Sequence, residues 1–422
     1  MSQKMGFLAI ASIVIGSQVG VGVLSLPTYL AGYGSIGISG WLASAGGAIL
    51  LALIFAQLSS HLPKAGGPHV YIEEAFGKRA AFFAGWGYWL IAWTSNIAVI
   101  IGAVSYLTPV LGQMSALHNL ILEIAIVVTL TVINIYGATL VGRVELVLTI
   151  LKCLPLLIIP IGGLMYFNID NFYPINVKNL PLSTVTNETA LIAFWGFIGL
   201  ESATTNSGVV ENPRKTIPKA VLFGTIIVAS IYILNCIGIM SLVPQDVLIS
   251  SNAPYVEAAK RIFGHDIDSY ASIIISLACI GTLNAWILTS GQIALGAARD
   301  GLFPEFYGNT NKYGAPYISL LIAMFGTILM LFTTLSEDLI SQIKFIIDIA
   351  VTAFLYMYLA CMLAFLKLFS TKQPFYALIS ILGGSFCVWI IITAPMLNSI
   401  VSLALVLSGL PVYLWHNRKH KN

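Results

Sequence analysis

The residues with chemistry to offer are few, and they sit in apolar surroundings. One carboxylate, Glu201, interrupts FWGFIGLESA (194–203), and one ammonium, Lys152, interrupts LVLTILKCLP (146–155). A third segment, IGSQVGVGVLSLP (15–27), has no ionisable group but sets Gly16, Gly20 and Gly22 ahead of Pro27. A carboxylate inside a membrane is costly unless it is paired or used. Glu201 therefore reads as a functional group or as a hydrogen-bonded prop for a broken helix. Glycine loosens a helix, and unwound backbone is tolerated in lipid only where it lines a cavity. The half-helix beyond such a break presents unpaired N–H groups that can hold a carboxylate. The competing reading of the first glycine run is close helix packing, because Gly16 and Gly20 also satisfy GxxxG.

Other chemistries find no support. There is no GxxxxGK[ST] loop to bind ATP, and no strand precedes the glycines as a nucleotide fold requires. His61, His69, His118, His265, His416 and His420 join no HExxH pattern. Paired aspartates and a serine–lysine dyad are also missing and no pore-like position offers a selectivity filter, so neither an intramembrane enzyme nor a channel is the expected class. The five cysteines (Cys153, Cys236, Cys279, Cys361, Cys387) have no zinc or redox spacing and read as small buried hydrophobes. No cofactor and no metal are expected.

The elements that must position these groups follow from composition. Of 422 residues, 58% are hydrophobic and 9% charged, whereas a soluble domain carries about 25% charged residues. Apolar segments fall near 7–30, 36–58, 81–112, 119–136, 146–167, 187–208, 218–243, 269–298, 317–334, 343–366, 374–393 and 396–415. Each suits a membrane helix. The run after Lys4 reads as a first span, not a cleaved signal. The longest polar connections, 59–80, 168–186 and 244–268, are too short for a core of their own. Twelve spans put both termini on one side, and that side receives all of the twenty Lys and Arg except Lys178, Lys260, Arg261 and Lys344. The positive-inside rule then places both termini in the cytoplasm. Size and short tails suggest a bacterial inner membrane. The net charge of +3 is scattered, which argues against nucleic acid. The basic end HNRKHKN (416–422) reads as an anchor on anionic lipid.

The two glycine-broken segments are the first spans of two successive groups of five. This matches inverted-repeat carriers, in which paired broken helices build a midplane site. The expected fold is an all-α polytopic membrane protein with 12 transmembrane helices. It combines a 5+5 inverted repeat, helices 1 and 6 discontinuous, with helices 11 and 12 appended. It forms one domain over 1–422, with repeats at about 5–167 and 187–366 and the last pair at about 374–415.

Several motifs in order resemble one known family. PKAGGPHVYIEEAFG (63–77), ENPRKTIPKA (211–220) and AARDGLFP (297–304) resemble loops of the amino acid–polyamine–organocation transporters. The likeness spans about 5–415 and is nearest to the bacterial arginine/agmatine and ornithine/putrescine exchangers, through YWLIAWTSNIA (88–98) and CIGTLNAWILTSGQ (279–292). The resemblance implies alternating access without sodium, frequent homodimers, and amino acids or amines as the small-molecule partners in a lipid bilayer. It also implies roles for residues. Gly20, Gly22 and the backbone around Gln18 match the site for the substrate's α-carboxylate and α-amino group. Trp195 and the backbone of Ile198 match its span-6 side. Trp286 matches an aromatic platform under the cationic end, and Asn96 a polar contact to that end. Tyr88, Glu201 and Tyr356 match positions tied to gating and proton coupling.

Three departures bear on the substrate. Val21 stands where the arginine/agmatine antiporter has a serine. Asp348, counted back from Tyr356, falls where that antiporter has a serine near the guanidinium, and a carboxylate there suits a cationic substrate. It reads equally as a solvated charge at a helix end. Lys152 either snorkels to the surface or, as in proton-coupled branches of the superfamily, stands in for sodium. The expectation is exchange of a cationic amino acid for its amine. Proton-coupled uptake of neutral or broad-range amino acids is the alternative.

Overall fold

The computed structural model describes residues 6–64, 67–205, 210–334 and 339–419, and its regular elements are helices throughout. We label them α1 (Phe7–Gln18), α2 (Val21–Ala31), α3 (Ile38–His61), α4 (Pro68–Phe76), α5 (Lys78–Thr94), α6 (Asn96–Ser105), α7 (Ala116–Ile135), α8 (Ala138–Met165), α9 (Leu182–Phe194), α10 (Pro213–Leu242), α11 (Pro254–Phe263), α12 (Asp268–Arg299), α13 (Tyr317–Leu331), α14 (Leu339–Phe369), α15 (Pro374–Thr393), α16 (Met396–Leu407) and α17 (Leu410–Lys419). Ala65 and Gly66 of the first loop motif, 206–208 of the sixth expected span, 420–422 of the basic end and the side chain of Val21 lie outside the described residues.

Among the described residues, nine helical stretches are long and apolar enough to cross a membrane, and Leu151–Met165 and Tyr317–Leu331 are shorter apolar helices. Lipid offers the backbone no hydrogen-bond partner, so an apolar chain closes its bonds internally as helices. The expected span 81–112 is divided at Ser95, which keeps helical dihedrals between α5 and α6, and a turn at Ser408–Gly409 separates α16 from α17. The remaining expected segments fall on helices, with ends shifted by several residues; α8, for example, begins at Ala138 instead of 146.

Small residues bring these helices close together. A Cβ on Gly163 of α8 would lie 2.5 Å from the Cα of Gly238 in α10, the close backbone approach that membrane helices use in place of a hydrophobic driving force. Helix α3 packs along α10 and α9, while α12 packs against α5, α6 and α8.

The loops define two ends of the bundle. At one, His69 meets Asp300, Gln373 meets His61, and His416 reaches the carbonyl of Gly301. At the other, Val177 and Ile175 bond the backbone of Tyr33 and Ile36, Gln245 reaches Ala31, and Trp389 reaches Asn187.

Candidate functional site

The first glycine run interrupts a helix after Gln18. Val19 and Gly20 run extended, and α2 starts at Val21. Gly20 has room only for hydrogen here, since a Cβ would lie 2.5 Å from Cγ2 of Thr282. The carbonyls at the end of α1 have partners from other helices. Lys152 donates to the Gly16 carbonyl at 3.1 Å, and the Tyr232 hydroxyl donates to that of Gln18 at 2.6 Å. Helix α2 has no side-chain cap at Gly20, so its first N–H groups face the break with the positive end of the helix dipole.

The second run interrupts a helix after Phe194. A single 3-10 turn (Trp195–Phe197) leads into extended Ile198, and Gly199 has φ +103. That left-handed conformation suits glycine alone. Its neighbour Ser17 bonds across to it, donating to the Gly199 carbonyl at 3.0 Å with its Oγ 2.7 Å from that of Ser202.

Between the breaks lies a cavity of about 30 Å³ lined by Ser17, Gln18, Gly20, Gly22, Ser95, Val99, Trp195, Ile198, Thr282, Trp286 and Phe354. It has room for about two water molecules, so an amino acid enters only if its walls move apart. An N–H-rich helix end stands on one side and the half-buried Trp286, edge-on to Phe354, on another. Such a pair of features can hold a carboxylate and an organic cation at once.

Six of the eight expected substrate residues line this cavity: Gln18, Gly20, Gly22, Trp195, Ile198 and Trp286. Asn96 and Asp348 do not. Asn96 is buried in a separate small cavity with Trp93, Thr131 and Ser290, while Ser95, one residue earlier and about 100° round the helix, faces the break. Asp348 lies toward the Tyr33 end, bonded to Lys344 and Asn398.

The gating residues divide similarly. Glu201 is fully buried; Oε2 accepts from Tyr358 at 2.5 Å, and the Tyr88 hydroxyl faces the same carboxyl group. Tyr356 is not part of this group. It points at the Ser399 carbonyl, 3.5 Å away. Residues two apart on a helix differ by about 200°, so of the pair in YMY only Tyr358 faces inward. Because Asp348 was placed by counting from Tyr356, the same two-residue phase carries it off the cavity. Lys152 is 2% exposed and turned toward the α1 break, not toward a surface. Ser17, Ser95, Thr282 and Tyr358 are site residues that sequence reasoning missed, and no pattern in the sequence marks them out.

A helical, multi-pass membrane protein closed around a cavity between two broken helices is a carrier in form. The amino acid permease family model matches residues 5–414, and the chain belongs to that family. It is a membrane transporter, not an enzyme. Relatives include the cadaverine/lysine antiporter of Escherichia coli (strain K12), 33% identical over 349 residues, covering 80% of this chain and 76% of the relative. The putrescine transporter PotE of the same strain is 31% identical over 371 residues, covering 86% and 83%. The putative arginine/ornithine antiporter of Bacillus subtilis (strain 168) is 29% identical over 463 aligned positions, covering 99% and 98%.

Proposed function

We propose that the chain exchanges a cationic amino acid for a related amino acid or its decarboxylated amine, by alternating access across a bacterial inner membrane. The observation that carries this is the cavity itself, in which the uncapped start of α2 faces the break and Trp286 stands opposite. The names of the relatives support the same class of cargo. In this reading α2 N–H groups and the carbonyls near Gln18 take the α-carboxylate and α-amino group, with Trp195 and Ile198 closing the other side. Trp286 stacks on the cationic end, worth about 0.5–2 kcal/mol. Asn96 acts from behind the cavity wall. Glu201, with Tyr88 and Tyr358, couples the break to opening and to protons, and Tyr356 contributes from the outer face of α14. Twelve spans, the inverted repeat, cytoplasmic termini and a homodimer complete the picture.

At the sequence level Lys152 favours a second reading, proton-coupled uptake, and its bond to the Gly16 carbonyl supports a fixed positive charge at the break. Proteoliposomes separate the two. Radiolabelled arginine, ornithine, lysine and leucine are offered to vesicles that are empty or loaded with amino acid or amine, with and without a proton gradient. Exchange predicts uptake of a cationic amino acid only against internal cargo. Gradient-driven uptake of leucine into empty vesicles overturns it in favour of symport.

A further inference from the structure

Outside the central cavity, the Tyr33 end holds charged groups that the exchange reading leaves without a task. Asp348 of α14 is 2% exposed. Its Oδ2 accepts from Lys344 at 2.9 Å and from Asn398 at 3.4 Å, while its buried Oδ1 has no hydrogen-bond partner among the described residues. Buried Tyr33, just beyond α2, donates at 2.6 Å to the exposed carboxylate of Glu188 on α9. The ring of Tyr33 carries the ammonium of Lys178 at 3.8 Å from its centroid. Asp348 lies within electrostatic range of Glu188, and Tyr33 within range of both.

These groups stand over the cavity. Glu188 precedes Trp195 by seven residues and Asp348 precedes Phe354 by six, so along α9 and α14 both sit about 9–10.5 Å outward of a cavity-lining residue. Helix α2 runs from the break to the same place.

The two members of the Lys344–Asp348 pair are unequal. Lys344 is 36% exposed and Asp348 only 3% by side chain, so the ammonium can retreat into water while the carboxylate cannot. A lysine four residues before its acid is also the weaker of the two helical orientations, and such pairs are worth only about 0.2–0.5 kcal/mol. A short buried acid, one oxygen unpaired, held by a half-exposed cation suits replacement by another cation.

We propose that Asp348, with Glu188 and Tyr33, is an outer capture site for the ammonium or guanidinium end of the substrate, which Lys344 fills in the empty protein. This rests on the exchange reading and adds a second station, specific for the cationic end, on the path to the central cavity. Lys344 competes with substrate for it, and an arriving cation displaces Lys344 toward solvent.

The test is lysine exchange by the full-length protein in membrane vesicles of both orientations, with leucine as the neutral control. Lys344→Met removes the competitor and lowers the KM for lysine at the Tyr33 face about fivefold. Asp348→Asn raises it at that face by about fivefold or more, with smaller changes for leucine or at the opposite face. In the double variant the Lys344→Met gain vanishes, the mark of direct coupling. If Asp348→Asn does not reach the membrane, Glu188→Gln at an exposed position supplies the same readout. Unchanged KM at the Tyr33 face, or equal changes at both faces or for leucine, overturns the capture site while leaving exchange intact. Exchange of leucine with no carriage of any cationic amino acid by the wild type overturns both readings.

Discussion

In the first interruption two residues, Val19 and Gly20, run extended, and the carbonyls at the end of α1 are held from outside by Lys152 and Tyr232. In the second, one left-handed glycine makes the turn, and the buried carboxyl of Glu201 follows it. One break is braced by two donors from neighbouring helices and offers free N–H groups. The other stands on a backbone conformation and a buried carboxyl group that accepts from Tyr358 and is faced by Tyr88. Under the exchange proposed above, the contrast gives them different work: the first would hold cargo in place, the second would respond to its arrival. Ser17, bonded to Gly199 and Ser202, joins them.

The sharpest way to break that division is Gly20→Ala. Its Cβ lands 2.5 Å from Thr282 Cγ2, and a displacement near 1 Å at a binding site costs about 100-fold in rate. Exchange should fall by at least that much with the protein still in the membrane. Thr282→Ala in the same chain should restore a measurable part, read as initial uptake rates. Wild-type rates in the single variant would show that the first break does not hold cargo.

Lys152→Ala ranks next. Loss of the ammonium leaves the Gly16 carbonyl without its charged donor, a contact worth about 1.5–3 kcal/mol. Uptake should drop about tenfold or more, with KM rising before kcat falls, because the bracing serves binding. Full, sodium-independent uptake in this variant would remove the fixed-charge role.

Glu201→Gln probes the other break. Here kcat should fall several-fold with KM little changed, and the pH dependence of exchange should flatten across pH 5–8. An unaltered pH profile would separate Glu201 from proton coupling and leave it as a prop.

The smallest effect distinguishes two neighbours. Tyr358→Phe removes the donor to Glu201 and should reproduce part of the Glu201→Gln phenotype. Tyr356→Phe should stay within about twofold of wild type, since a contact of 3.5 Å to the Ser399 carbonyl carries little energy. Equal losses in the two would mean that α14 acts as a rigid unit and that the Glu201 contact has no special place.

Much of this was readable in the chain before any coordinates. Apolar runs of span length, low charge and the lopsided Lys and Arg positions require a many-helix membrane protein, because each depends only on the local cost of placing residues in lipid. The breaks at Gly20 and Gly199 were equally visible, since glycine clusters weaken helices wherever they occur. Gln18, Trp195 and Ile198, though within a few residues of a break, were assigned to the site by resemblance of their motifs. Trp286 was reached only by resemblance of its motif.

What sequence could not set was helical phase and long-range partnership. Asn96 against Ser95, and Tyr356 against Tyr358, differ by one or two residues, and a membrane helix apolar all round carries no stripe to tell which face turns inward. The bond from Lys152 to Gly16 spans 136 residues and that from Tyr358 to Glu201 spans 157. The chain by itself determined that it would be helical, where two helices would part, and that a few ionisable groups would have to be buried. Only the packing of α5, α8, α10, α12 and α14 around the breaks decided which of those groups meet. Side-chain direction depends on how each helix is rotated against its neighbours, and contacts from the whole bundle set that rotation.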